Sequence, residues 1–348
     1  MRRLKPSASV IGLDIGRQSV KAVQIGQGDK GPCLEGCVCM TRASAGHALE
    51  LREAQQLLRI MERRGMTASR VVLVAPTDAL VGGSTSVPPT ETGVPRQKIV
   101  EMELSRAHKL SPGTFEMAWW DLPTPMSGSR IGQVHAVGLP HAAVEATLEI
   151  VAELGLQVVR TLPGSLALLA AAQRHPIDPR CVAAVVDLGS ARGHLALMIG
   201  GRVVHERALP DFNMKQIRQS ASEWLGDDLR LVTRALSRFG LDEQNEGMVA
   251  CETSRLLGDA MQPLAEEIGM SFAYVSHLYP QAELGQLLLT GGGANVAGLG
   301  ETLSNSLELQ VHAVTPKSLL KGPAFGQECE DPALVMAMGA ALCGEVSV

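Results

Sequence analysis

Residues 10–23, VIGLDIGRQSVKAV, decide how the rest of the chain is read. An apolar run through Val10 and Ile11 passes Gly12 into Leu13, Asp14, Ile15 and Gly16, and Val20, Ala22, Val23 and Ile25 then resume a strand-like alternation. The pattern predicts a β-hairpin. Gly16 permits a turn that a side chain would oppose, which leaves the amides of Arg17, Gln18 and Ser19 placed to point at one anion. Asp14 and Lys21 flank that turn, a carboxylate suited to holding a hydrated Mg²⁺ and an ammonium suited to touching phosphate directly.

The same design returns about 170 residues later in residues 182–197, VAAVVDLGSARGHLAL, where an apolar run leads to Asp187, an apolar residue, Gly189, a short polar turn containing Ser190 and Ala191, and a second alternating strand. Two such hairpins predict a duplicated domain with one phosphate loop from each half. Residues 287–299, LLLTGGGANVAGL, add a buried-type strand that runs into Gly291, Gly292 and Gly293 and then a helix. A turn of that kind lets a flat base or a ribose approach the backbone closely.

Composition narrows the classes of function. With 348 residues there is room for two domains of substantial core, and 45% hydrophobic against 19% charged residues describes a globular protein. A formal net charge of −5 gives no general pull toward nucleic acid, and 3% aromatic residues leave few platforms for stacking bases. Residues 1–8, MRRLKPSA, are basic but lead to Asp14 rather than to a long apolar stretch, so they do not read as a secretion signal, and no apolar run reaches the roughly 20 residues needed to cross a bilayer. Any membrane link is therefore expected through a partner. Cys33, Cys37 and Cys39 are the only clustered members of seven cysteines and read as reduced thiols on a strand and its turn.

Along the chain, residues 34–40 are predicted as a third strand and 51–64 as a helix with Leu51, Ala54, Leu57, Leu58 and Met61 on one face, its arginines and glutamates in water, and Gly65 as the stop. A short strand over 71–75 ends at Pro76, and this mixed block is expected to end near residue 83. From 84 to 155 an alternation of β, α, β, β, α suggests a small independent insert, with a charged amphipathic helix over 98–110 and Trp119 and Trp120 on opposite faces of the strand 115–122. Residues 123–129 read as a hairpin tip, and Pro140 as the opening of a helix that stops at Gly155. Residues 156–162 return to the main body, 164–174 form an apolar helix, and long helices follow the second hairpin. His194 is expected to be structural.

In their order and spacing the three glycine-bearing stretches resemble the phosphate-one, phosphate-two and adenosine elements of the actin, Hsp70 and sugar kinase superfamily. Within it the chain is similar to the PilM family, the FtsA-related actin-like proteins of type IV pilus assembly, and the similarity runs through 87–88, 98–112, 115–122, 139–155 and 331–343, nearly the whole chain. It implies an α/β actin-like (ribonuclease H-like, duplicated) two-domain ATPase fold with a small α+β inserted subdomain. The implied divisions are 1–83 and 156–178 for the first domain, 84–155 for the insert, 179–330 for the second domain, and 331–348 for a closing helix that returns to the first.

The resemblance also implies ATP between the two halves. Asp14 and Asp187 would orient Mg²⁺ through water, Lys21 would contact phosphate, the turns at Gly16, Arg17, Gln18 and Ser19 and at Gly189, Ser190 and Ala191 would cradle the phosphates, and Gly291, Gly292 and Gly293 would face the adenosine. The position that carries a water-orienting side chain in related ATPases falls in residues 162–165, LPGS, which hold neither carboxylate nor amide, and Gly193 and His194 replace the threonine common after the second turn. Nucleotide binding with weak or no hydrolysis is therefore expected. The implied partner is the cytoplasmic tail of an inner-membrane pilus protein of the PilN type, with the chain cytoplasmic and peripheral to that membrane. The alternatives are an FtsA-like filament-forming protein, whose C-terminal amphipathic helix is not seen in this sequence, and a small-molecule kinase of the same superfamily, whose catalytic aspartate is not evident near 76–83.

Overall fold

The opening stretch forms the hairpin its alternation requires: β1 (Val10–Ile15) pairs antiparallel with β2 (Ser19–Gly28), placing Asp14 opposite Lys21 and Ile15 opposite Val20. The computed structural model describes residues 9–43, 49–88, 93, 95–123, 132–209, 212–225, 229–241, 248–322 and 327–344. The expected hairpin tip at 123–129 lies almost wholly outside them, as do residues 1–8. β3 (Gly31–Thr41) continues the meander, and α1 (Leu51–Arg63) leads to β4 (Arg70–Val74), which lies parallel to β1. Cys33, Cys37 and Cys39 are free thiols on β3.

β5 (Val81–Val87), α2 (Arg96–His108), β6 (Phe115–Asp121) and β7 (Gly132–Pro140) make a separate three-stranded antiparallel sheet, in the order β5-β7-β6, with a helix on one face. The boundary expected near residue 83 falls inside β5, where Gly82 and Gly83 continue the strand and pair with Val137 and Ala136. Gly82 has no room for a side chain, since a Cβ there would lie 2.6 Å from the carbonyl of Ala136. Pro140 closes β7 rather than opening a helix. A 3₁₀ turn, His141–Ala143, intervenes before α3 (Glu145–Glu153), after which Gly155 turns the chain at φ +74°.

β8 (Gln157–Leu162) joins the first sheet parallel to β4, giving the order β3-β2-β1-β4-β8. α4 (Gly164–Ala172) then crosses to a second five-stranded sheet. It is built from β9 (Val182–Leu188), β10 (Gly193–Ile199), β11 (Arg202–Leu209) and, after α5 (Met214–Leu225), α6 (Leu229–Arg238) and α7 (Met248–Leu278), from β12 (Leu284–Thr290), α8 (Leu299–Leu307) and β13 (Gln310–Ala313). Its order, β11-β10-β9-β12-β13, repeats that of the first sheet strand for strand: an antiparallel hairpin, then two parallel additions. The two hairpins are thus the corresponding parts of a duplicated unit.

After α9 (Pro316–Leu319), α10 (Val335–Gly344) returns to pack on β1, β2, β4 and α4. One core lies between the two sheets, with α4 and α10 sandwiched there among Val10, Val72, Leu168, Val185, Ala196 and Leu288. Alanines and glycines predominate on these helices because the backbones nearly touch. A Cβ on Gly339 would fall 1.9 Å from the carbonyl of Ala167, and one on Gly12 1.8 Å from that of Ala337. Burial of this kind stabilises by roughly 25 cal/mol per Å² of apolar surface. The outer faces carry separate cores under α1 and α3 on the first sheet and under α5 to α8 on the second.

The small sheet has its own core of Val87, Val100, Leu104, Phe115, Val134 and Ala136. Alternation separates the tryptophans as expected. Trp119 packs against that small core beneath the Arg96 guanidinium, 5.2 Å from its ring centre, whereas Trp120 points to the main body and donates its indole N–H to the Val203 carbonyl at 2.7 Å.

Candidate functional site

The carboxyl ends of β1, β4, β9 and β12 face a cavity of about 600 Å³, within the size range of sites for small ligands. Asp14, Gly16, Arg17, Gln18, Ser19 and Lys21 line it from the first hairpin, Asp187, Gly189, Ser190 and Ala191 from the second, and Gly291 and Gly292 from the turn after β12. These sequence-derived candidates, scattered over 280 residues of chain, are therefore brought together. Gly293 is not: it is buried against Leu188, where a Cβ would lie 2.6 Å from that side chain, so it packs the turn rather than facing the cavity.

Each turn is shaped by a close contact. The Gly16 amide donates to the Ser19 carbonyl at 3.0 Å, and a Cβ on Gly16 would meet Lys21 Nζ at 3.0 Å. Gly16 does not adopt a positive φ, so lack of room rather than a left-handed backbone selects glycine there. Gly189 is similar, with 2.8 Å between an added Cβ and the Arg192 carbonyl. Gly291 needs both freedoms, since it sits at φ +82° and its Cβ would meet the Leu188 amide nitrogen at 2.6 Å.

Three charges meet where the hairpins face one another. Lys21 Nζ donates to Asp14 Oδ2 at 2.8 Å, so this lysine is neutralised by its cross-strand neighbour rather than held free. Burial would lower the Lys21 pKa, yet the Asp14 charge and hydrogen bond, with Asp187 adding, raise it. Asp187 is pushed up, first by burial and then by the like charge of Asp14, although Lys21 and the Thr290 hydroxyl, which donates to Oδ1 at 3.0 Å, oppose this. Two carboxylates and one ammonium leave an excess negative charge that suits a hydrated divalent cation accompanied by phosphate. His194 lines the same cavity at 8% exposure, with neither ring nitrogen hydrogen-bonded, and burial lowers its pKa.

Further residues of the site carry no local signal in the sequence. Arg42, just beyond β3, donates to the Gly16 carbonyl at 3.1 Å and pairs with Glu53 at 3.0 Å, the two side chains being 0% and 6% exposed. Glu53 is thus a buried brace of the first turn, and the expectation that the glutamates of α1 lie in water is corrected at this position. Asp78, after β4, reaches the same turn by an ion pair with Arg17 at 3.0 Å. Arg218 of α5 crosses the cavity to donate to Gln18 Oε1 at 2.6 Å. Asp331 lies on the far wall, where it accepts from the side chain of Asn295 and the amide of Ala333.

Residues 162–165 do not line the cavity, and Ser165 is fully buried. Among the described residues no group of three or more metal-ligating side chains occurs, and no helix is long and apolar enough to cross a membrane.

No family model matches the sequence, and no curated protein does. Solved structures match over nearly the full length. The PilM-PilN type IV pilus biogenesis complex aligns with a TM-score of 0.78 at 21% identity, covering 98% of this chain and 100% of the other. The ethanolamine utilization protein EutJ from Carboxydothermus hydrogenoformans gives 0.54 at 17% identity over 98% and 91%. MreB5 of Spiroplasma citri, bound to AMPPNP, gives 0.52 at 12% over 96% and 95%. Together with the repeated sheets, these likenesses establish an actin-like two-domain α/β fold with a small α+β insert.

Proposed function

We propose that this chain is a PilM-type protein of type IV pilus assembly, in which a nucleotide acts as a structural or switching ligand and the cytoplasmic tail of an inner-membrane protein of the PilN type is the partner. The observation that carries the reading is the end-to-end match to the PilM-PilN structure, insert included. The cavity supports it independently. Paired acidic hairpins, turn amides and a glycine turn are what a magnesium triphosphate and a nucleoside require of a protein.

In this reading ATP lies in the cavity. Asp14 and Asp187 hold Mg²⁺ through water, the amides of the two hairpin turns receive the phosphates, and Gly291 and Gly292 leave room for the nucleoside. The bound ion supplies charge neutralisation of the triphosphate. Lys21 holds Asp14 in position and shields it from Asp187. Hydrolysis is weak or absent, because Asp78 is taken by Arg17 and His194 is deeply buried. The chain reaches the inner membrane only through its partner.

The tail, taken as extended and apolar, is assigned to the edge of β6 that faces away from β7, unpaired by any strand among the described residues, beside a groove lined by Ala118, Trp119, Trp120, Leu166, Leu169 and Val203. An unpaired strand edge recognises such a segment by its backbone and the groove by its side chains. Titration with a fluorescent ATP analogue, with and without Mg²⁺, and pull-down with a synthetic PilN-type tail test the two halves of the reading. Saturable, Mg²⁺-strengthened binding and tail capture abolished by Ala118→Arg are expected. Absence of nucleotide binding, or brisk phosphate release from the pure protein, rejects the first half, and failure to retain the tail rejects the second.

A further inference from the structure

Three of the five lysine and arginine side chains that line the cavity pair with carboxylates: Lys21 with Asp14, Arg17 with Asp78 and Arg42 with Glu53. Arg218 is different. It projects from α5 of the second half and is partly buried, and its Nη1 donates to the neutral amide oxygen of Gln18, on the turn of the first hairpin. Its Nε is buried without a hydrogen-bond partner, and among the described residues no carboxylate forms an ion pair with it. Nη2 lies 3.8 Å from the place a Cβ on Gly292 would occupy, so the guanidinium stands between the first phosphate turn and the glycine turn. A guanidinium partly stripped of water, with one donor unused and the Asp331 carboxylate attracting it only from beyond ion-pair contact, carries a cost that an anion joining it would offset.

We propose that Arg218 is a nucleotide-binding residue that takes the phosphate oxygens of the ligand in its planar fork, exchanging the Gln18 amide for them. This rests on the nucleotide reading above and adds the side chain by which the second half grips phosphate already held by the first. Guanidinium suits this task because two parallel N–H groups meet two phosphoryl oxygens. Its hydrogen bond to Gln18 spans the cavity, so the same side chain ties α5 of the second half to the turn of the first hairpin.

The test is a titration of the full chain with the fluorescent ATP analogue, with unlabelled ATP and adenosine as competitors, for the wild type, Arg218→Gln and Arg218→Lys. Removing a charge-assisted hydrogen bond is expected to weaken ATP at least about tenfold while leaving adenosine competition unchanged. Arg218→Lys is expected to recover part of that loss and to melt with the wild type, which separates loss of a ligand contact from loss of the fold. Undiminished ATP binding by Arg218→Gln overturns the assignment, as does equal weakening of ATP and adenosine or a lysine variant no better than the glutamine one. If the wild type itself binds no nucleotide, the nucleotide reading fails and this inference with it. Wild-type binding that ignores Arg218 removes this inference alone.

Discussion

Oε1 of Glu206 lies 3.1 Å from Nε2 of His135, and the two residues belong to different sheets, β11 of the second half and β7 of the insert. The other carboxylate oxygen stands 3.8 Å from Nε2 of His194, which lines the cavity. Burial alone would raise the Glu206 pKa, but chiefly the hydrogen bond from His135 holds it below the usual carboxylate range. One partly buried acid thus joins the insert to the wall of the cavity.

A carboxylate depressed in the folded state stabilises the fold while it is ionised. The contribution is complete above its unfolded value, about 4.3, and is lost as pH falls through the lower folded value. Glu206→Gln is therefore expected to destabilise by about 1–3 kcal/mol at pH 7. Urea unfolding of both proteins should show that difference shrinking below about pH 4. A gap that stays constant into acid would mean that the carboxylate charge is not what matters.

Arg42 and Glu53 make a buried pair, and removing one partner leaves the other charge unmatched. Arg42→Ala should cost about 3–5 kcal/mol in urea unfolding. Because Arg42 also holds the Gly16 carbonyl, the variant should bind the ATP analogue more weakly than its loss of stability explains. Affinity equal to wild type under conditions where the variant is fully folded would show that the brace does not shape the turn.

Asp187 pulls stability and binding in opposite directions. Its pKa is raised, so the fold favours the protonated form: stability is greatest below the unfolded value and declines as pH rises through the folded one. Asp187→Asn keeps an acceptor for the Thr290 hydroxyl and is expected to stabilise the unliganded protein by about 1 kcal/mol at neutral pH while abolishing Mg²⁺-dependent nucleotide binding. A lower melting temperature without ligand would contradict this account of the site.

Gly291 and Gly65 both have positive φ, but only Gly291 is crowded; a Cβ on Gly65 meets nothing within 4 Å. Gly65→Ala should therefore cost only the left-handed backbone term, about 1–2 kcal/mol. Gly291→Ala should cost clearly more, because Leu188 and Asp187 must also move. Equal melting temperatures for the two variants would refute the close approach at Gly291.

The hairpins were legible in the sequence because alternation, an aspartate and a glycine turn are local, and their recurrence predicted the duplicated sheets. The register was legible too. A short turn after Asp14 sets Lys21 directly across from it, so the ion pair that neutralises the lysine follows from the spacing, although the lysine reads first as a phosphate ligand. Glu53 was hidden because it sits beside the apolar stripe of α1, and only the approach of Arg42 brings it inside. Arg218 comes from an element whose position depends on how two halves pack, and Asp78 from a turn brought to Arg17 only by the parallel pairing of β4 with β1, so no nearby residue announces either. The end of the first block expected near residue 83 falls within a strand, where Gly82 is accepted because its neighbour leaves no room for a side chain.

The near-contact of backbones at Gly339 and Ala167 also governs how the molecule can move. At that crossing no side chain separates the two backbones, so there is nothing there to re-rotamer or slide, and the two halves meet on an axle rather than a cushion. Rotation about such an axle barely displaces atoms beside it and sweeps those at the rim furthest. A small change at the phosphates would then be read at the periphery as a lever reads its fulcrum, and a bulkier residue at position 339 would jam the motion at its source.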